Sequence, residues 1–326
     1  MISLIKIEWT KMRGRKLIFA ALIICSIAII AFGFFLKQDT SNFESSADIT
    51  DEEQKLQDDY QNSADWKEQM KIQMKMNEFL GDIYGEEEIK VKNDILQYRI
   101  DHDLEPFEKN TTWDFIAYAF EIIGFLVSVF AILFAIEIVI SEYTYKTAKL
   151  LFAKPFTRTK IIVAKYVTSI LFMLGLAVFF FVISLVVGGI FFTFKGGTIN
   201  TAIKFYHKIY ECTLYSMSLI QFGATILKSF HVMTIAFFLS ILCKNQVAPM
   251  ITSLGILFFG NMIAEKLYAI NFKGIRFSIL ANLSISSFID CPVKKEYSFF
   301  LFLLVGIIHV IAFIWGSIQL INRADI

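Results

Sequence analysis

Residues 17–36 form a run of twenty without a single charged side chain. As a helix, at about 1.5 Å per residue, that run reaches about 30 Å, the width of a bilayer's hydrocarbon core. Further apolar stretches follow at 113–140, 166–194, 212–242, 247–264 and 297–320. In lipid every backbone polar group must find a partner within the protein, so runs of this kind dictate helices. Composition agrees: 56% of the 326 residues are hydrophobic and only 19% charged, against about 45–50% and about 25% in soluble domains. The expectation is an all-α polytopic membrane protein with six transmembrane helices.

The formal charge of +1 hides an asymmetry. Twenty of the thirty acids fall within 37–112, against nine bases there. This is the longest polar stretch, and it reads as an acidic helical insert on the outer side. Leu56, Tyr60, Trp66, Met70, Met74 and Phe79 keep a rough helical spacing after the capping pattern Thr50-Asp51-Glu52-Glu53. A second helical piece starts near Glu86, with Gly81 and Gly85 marking the turn between the two. The short segments 1–16, 141–165, 243–246 and 321–326 carry thirteen Lys/Arg, which places them, and both termini, on the cytoplasmic side. The bases sit beside membrane spans and form no separate basic domain, so nucleic-acid binding is not expected.

Residues 1–16 hold five bases and one acid, with Ile2, Ile5 and Trp9 at helical spacing. That suits an amphipathic helix lying in the headgroup region. Residues 198–211 are expected at the outer interface. The fourth stretch is too long for one straight span and is interrupted by Lys228 and His231, so it is expected as a lead-in plus a span from about Phe222, or as a broken helix. Residues 265–297 form a second outer insert with apolar pieces, expected to be interfacial or re-entrant.

The four cysteines, Cys25, Cys212, Cys243 and Cys291, form no C-x-x-C pair or Cys/His cluster, so no metal site is expected. Cys212 and Cys291 both fall on the outer side of this topology, and a disulfide between them stays open. Ionisable residues inside spans are costly and usually need a partner or water. Glu121, Lys228 and His309 are therefore candidates for a transport path, weighed against ordinary interhelical hydrogen bonding; an acid such as Glu121 is a candidate partner for Lys228. Glu137 lies close to the cytoplasmic end of its span and is expected to be wet.

Residues 141–165 carry six Lys/Arg and one acid between two spans. Glu142 and Lys146 stand in the favourable i,i+4 order. Pro155 ends a first helical piece, and Thr157 can cap a second. The segment reads as a kinked, basic, amphipathic elbow at the inner surface.

Glu142, Thr147, Leu150, Leu151, Pro155, Arg158 and Lys165 resemble the elbow pattern of type 2 ABC exporter permeases; Lys146 stands where that family usually has glycine. The opening segment, with Glu8, Trp9 and Lys11, is similar to the family's N-terminal amphipathic helix. The layout of six spans with a large insert after the first is similar to bacitracin-resistance and antimicrobial-peptide exporter relatives. The resemblance implies a permease without a motor of its own, dimeric with a second permease copy, and seated through the elbow on two copies of a separate ABC ATPase subunit. It implies no cofactor in this chain, with ATP and Mg bound by the partner, and a place in a bacterial cell membrane. The cargo it implies is amphipathic: an antimicrobial peptide, an antibiotic or a lipid.

No G-x-x-x-x-G-K-[ST] occurs, which agrees with a non-enzymatic chain. The alternatives are a sodium or small-ion exporter permease, and a non-transporting sensor or immunity protein binding a ligand through the acidic insert. An intramembrane hydrolase is disfavoured, because no HExxH or comparable pairing is present.

Overall fold

The computed structural model describes residues 1–39, 51–79, 86–105, 111–145, 156–205, 208–270, 272–283 and 299–323. The chain opens with α1 (Ile2–Arg13) and α2 (Lys16–Asp39). The acidic insert follows as α3 (Asp51–Asn62), α4 (Trp66–Phe79) and α5 (Glu86–Asp101). Then come α6 (Thr112–Ile122), α7 (Phe125–Thr144) and α8 (Arg158–Phe191). A hairpin of β1 (Asn200–Phe205) and β2 (Lys208–Thr213) leads into α9 (Leu214–Cys243), α10 (Val247–Ala269), a short 3-10 turn (Lys273–Phe277) and α11 (Phe299–Arg323). Among the described residues, six helices are long and apolar enough to cross a membrane: α2, α7, α8, α9, α10 and α11. The chain is a multi-pass membrane protein.

The centre of the bundle is α7, whose Ile132, Phe134, Ala135 and Ile136 are sealed from solvent. Phe134 stacks on Phe172 of α8, with ring centroids 4.1 Å apart and planes 8° apart. Against α9 the contact is polar as well as apolar: Ser128 and Ser229 share a buried hydrogen bond of 2.8 Å. Tyr166 of α8 reaches Thr234 of α9 at 2.8 Å. Between membrane helices lipid supplies little driving force, so such stitches and close packing of small residues hold the bundle. On α2 the buried stripe is Ala21, Cys25 and Ile29, four residues apart, while Phe19, Ile23, Ile27 and Phe34 stay exposed for lipid. One turn beyond Ile29, Gly33 lets α2 approach α8: a methyl there would lie 3.0 Å from Val187 and Phe191.

Several expectations need revision. The second span is two helices, broken at Ile123-Gly124. Its first part is fixed at its start by a reciprocal cap, in which Thr111 Oγ1 accepts from Asp114 N and Asp114 accepts from Thr111 N. The fourth stretch is one continuous helix of 30 residues, α9, with no break near Phe222. Lys228 and His231 do not interrupt it, because polar side chains leave the backbone ladder intact. Asn200–Phe205 and Lys208–Thr213 pair as antiparallel strands, with Asn200 opposite Thr213 and Phe205 opposite Lys208, where an interfacial segment was expected.

Within the acidic insert, the stretch from Leu56 to Phe79 is two helices rather than one. Asp65 Oδ1 accepts from Lys67 N at 3.0 Å and caps the second. The packed pair is α4 on α5, burying Met70, Ile72, Ile89 and Val91. Asn77 donates to Asn93 at 2.9 Å across that seam. Thr50, Gly81 and Gly85 lie outside the described residues. Asp94 of α5 pairs with Lys204 of β1 at 3.1 Å, so the insert rests on the hairpin. Cys212 stands opposite Thr201 in the hairpin; Cys291 lies outside the described residues, and with it the question of their pairing. Residues 284–297 of the second insert likewise lie outside the described residues.

Candidate functional site: the charged junction of α1, α7 and α8

The amphipathic α1 buries Leu4, Glu8 and Met12, spaced four apart on one face. Two members of that stripe are ordinary apolar residues, and the third is a carboxylate only 3% exposed. A buried charge is costly unless it is paired and hydrogen-bonded. The structure supplies the partners from two other helices.

Lys165, on the second turn of α8 and 2% exposed, points its ammonium into this gap. Its Nζ donates to Glu8 Oε2 at 2.8 Å, to Glu142 Oε1 at 3.2 Å and to the carbonyl of Ile138 at 2.8 Å. An ammonium has three protons, and all three are used. Lys11 closes the figure, donating to Glu8 Oε1 at 3.0 Å and to Glu142 Oε1 at 2.8 Å. Two carboxylates and two ammoniums thus form a neutral knot, in which Glu8, Glu142 and Lys165 are buried and Lys11 closes the exposed side. Burial works to lower the Lys11 ammonium's pKa, but Glu142 and Glu8 outweigh it and the net shift is upward. A second pair lies beside the knot: Arg15 Nη1 meets Glu137 Oε1 at 2.8 Å, and the Arg15 guanidinium lies over the Tyr145 ring. Glu137 is therefore ion-paired, where solvation alone was expected.

The knot bears directly on the elbow. Glu142 ends the helix before it and Lys165 lies just after it begins again, 23 positions later, yet their charged atoms are 3.2 Å apart. The two legs of the elbow are pinned together at the base. Arg158 starts α8, where a cation is unfavourably placed against the helix dipole. It is turned outward to donate to the carbonyl of Ile321 at 3.1 Å, one of the last carbonyls of α11, which have no partner within their own helix. Thr157 caps α8, accepting from Lys160 N at 3.4 Å. Of the elbow residues singled out in the sequence, Glu142, Arg158 and Lys165 are thereby placed. Lys146, Thr147, Leu150, Leu151 and Pro155 lie outside the described residues.

The three transport-path candidates are not drawn into one site. Glu121 is exposed on the last turn of α6, beside the break. Lys228 is half-buried on α9, and among the described residues neither it nor Glu121 forms an ion pair. His309 donates Nδ1–H to the Val305 carbonyl at 2.8 Å, one turn back on its own helix. One turn from His309, Gly306 abuts a histidine that sequence reasoning treated only as an interruption, His231. Among the described residues no group of three or more His, Cys, Asp or Glu is arranged to hold a metal ion.

Sequence reasoning did not find the knot. Its signal was present in α1, where an acid occupies the middle of an otherwise apolar i,i+4 stripe. That pattern does not say which distant lysine answers it.

A family model described as "ABC-2 family transporter protein" matches residues 2–290, a stretch that includes α1, the elbow, the acidic insert and most of the second insert. The chain is also similar to the uncharacterized protein YhcI of Bacillus subtilis (strain 168), 26% identical over 330 residues, covering 100% of this chain and 99% of the relative.

Proposed function

The chain belongs to the ABC-2 transporter family, and from that membership we propose that it is the permease of an ATP-driven exporter, powered by a separate ABC ATPase seated on the elbow. In this reading two permease copies and two ATPases assemble in a cell membrane, with both termini cytoplasmic and an amphipathic molecule as cargo. The observation that carries the reading is the Glu142–Lys165 contact at the base of the elbow. Closure of the ATPases pushes on residues 146–158. A loosely tethered loop would absorb that push. A loop whose two legs are tied to each other and to α1 passes it to α7 and α8 as one body. Transmission of this kind needs an element biased differently in two states, and α7, at the centre of the bundle, is well placed to be that element.

The roles divide accordingly. Thr147, Leu150, Leu151, Pro155 and Arg158 are the docking residues. Glu142 and Lys165, being buried, position the elbow and do not themselves touch the partner. The test is capture of the ATPase by tagged permease from native membranes, followed by its ATP turnover. Arg158→Glu and Leu151→Asp are expected to lose the ATPase or its stimulation. Unchanged complex and unchanged turnover would remove the elbow from the mechanism, and no ATPase with the unaltered chain would favour the sensor reading.

A further inference from the structure

His231 sits deep in α9, 5% exposed, facing α11. Its Nδ1 lies 2.8 Å from the carbonyl of Leu227. A carbonyl only accepts, so Nδ1 carries the proton, and in the neutral ring Nε2 is left as a lone-pair acceptor. That nitrogen is buried and, among the described residues, has no hydrogen-bond partner. Room for the ring exists only because residue 306 is glycine; a methyl there would come within 2.8 Å of Nε2.

Beside the imidazole lies a cavity of about 150 Å³ between α9 and α11, walled by Leu227, Phe230, Phe302 and Val310. Its outer rim is Leu303, Ile307 and Ile311, of which the last two are each 60% exposed on the lipid-facing side of α11. An apolar cavity of this size stays dry and accepts apolar guests. The buried acceptor adds a demand: an occupant that brings a donor satisfies a group that otherwise stays unpaired.

We propose that this cavity is a lateral binding site for a membrane-dissolved long-chain alcohol, with its hydroxyl donating to His231 Nε2 and its chain lying over Val310 and Ile307. The lining selects the class. Its side chains hold one unpaired acceptor, and their one donor, His231 Nδ1–H, is already taken by Leu227, so a carboxylate, phosphate or amide carbonyl entering it would itself go unsatisfied. A hydroxyl gives the one proton wanted and carries no charge. Entry is from the bilayer, through the exposed rim, so the ligand need never cross water. The site requires nothing of the exporter reading and stands or falls without an ATPase.

The test uses the full chain in lipid nanodiscs and two photoactivatable probes, a diazirine-bearing hexadecanol and its methyl ether, which lacks the proton. Labelled positions are mapped by mass spectrometry. The alcohol is expected to label residues 227–231 and 302–311 about fivefold more than the ether, the factor a single neutral hydrogen bond supplies. It is also expected to move the Nε2 resonance of His231, one of only four histidines, in the imidazole nitrogen spectrum. His231→Leu should make the two probes label equally, and Val310→Phe should abolish labelling by both. Equal labelling of the unaltered chain by alcohol and ether, or labelling that avoids these residues, overturns the proposal; neither result depends on a variant folding.

Discussion

Lys165 and Glu8 stand 157 positions apart, and their charged atoms meet at 2.8 Å with both side chains nearly sealed from solvent. This one contact fastens the N-terminal helix to the start of the third span. With Glu142 and Lys11 it makes the base of the elbow a single body. Buried ion pairs are poor sources of net stability, because desolvation offsets attraction, but breaking one side of such a pair is severe.

Lys165→Met should therefore destabilise the chain by about 3–5 kcal/mol, since Glu8 and Glu142 are left buried with one ammonium between them. Glu8→Gln combined with Lys165→Met should recover part of the loss, because one stranded charge is removed. Thermal unfolding in detergent gives the comparison, and a double variant no better than Lys165→Met would argue against direct coupling.

The Lys11 ammonium titrates higher in the folded chain than its ordinary value of 10.5. A folded-state pKa raised in this way gives stability that is present in full below the unfolded pKa and is lost as pH rises through the folded one. The melting difference between the unaltered chain and Lys11→Met should hold constant from neutral pH to about 10. It should then shrink at more alkaline pH. A difference that grows with pH would contradict the sign.

Ser128 and Ser229 tie α7 to α9. Polar pairs between membrane helices couple by about 0.6 kcal/mol on average. A double-mutant cycle with Ser128→Ala and Ser229→Ala should return a coupling of that order. A value near zero would mean that each hydroxyl finds another partner once its mate is gone.

Gly124 sits at the break between α6 and α7, where an added methyl group would overlap the Phe120 carbonyl oxygen. That neighbour is backbone, so it cannot swing aside. Gly124→Ala is expected to cost about 1–3 kcal/mol, the usual penalty of overpacking. Hydrogen exchange should rise at 120–127 before elsewhere, and exchange that rises uniformly would speak against a local effect.

The expected six spans match the observed helices because the argument behind them is local. A run of twenty apolar residues has one stable backbone form in lipid, whatever surrounds it. That the basic segment falls between two of those helices was legible for the same reason. The acid within the α1 stripe was visible too, but its partner was not, because nothing along the chain links position 8 to position 165. The break at Gly124 was missed because a lone glycine in an apolar run is ambiguous without its neighbours. The opposite error at α9 came from treating Lys228 and His231 as helix breakers, when only proline and glycine act on the backbone itself.

Hydrophobic patterning by itself determined that this chain carries six helices long and apolar enough to cross a membrane among its described residues, since burial of backbone in lipid is decided segment by segment. Tertiary structure alone decided that Glu8, Lys11, Glu142 and Lys165 form one closed knot, and that His231 faces an apolar cavity beside Gly306. Both depend on which helix faces meet. Facing is set by side-chain packing among distant segments, a property that no single segment carries.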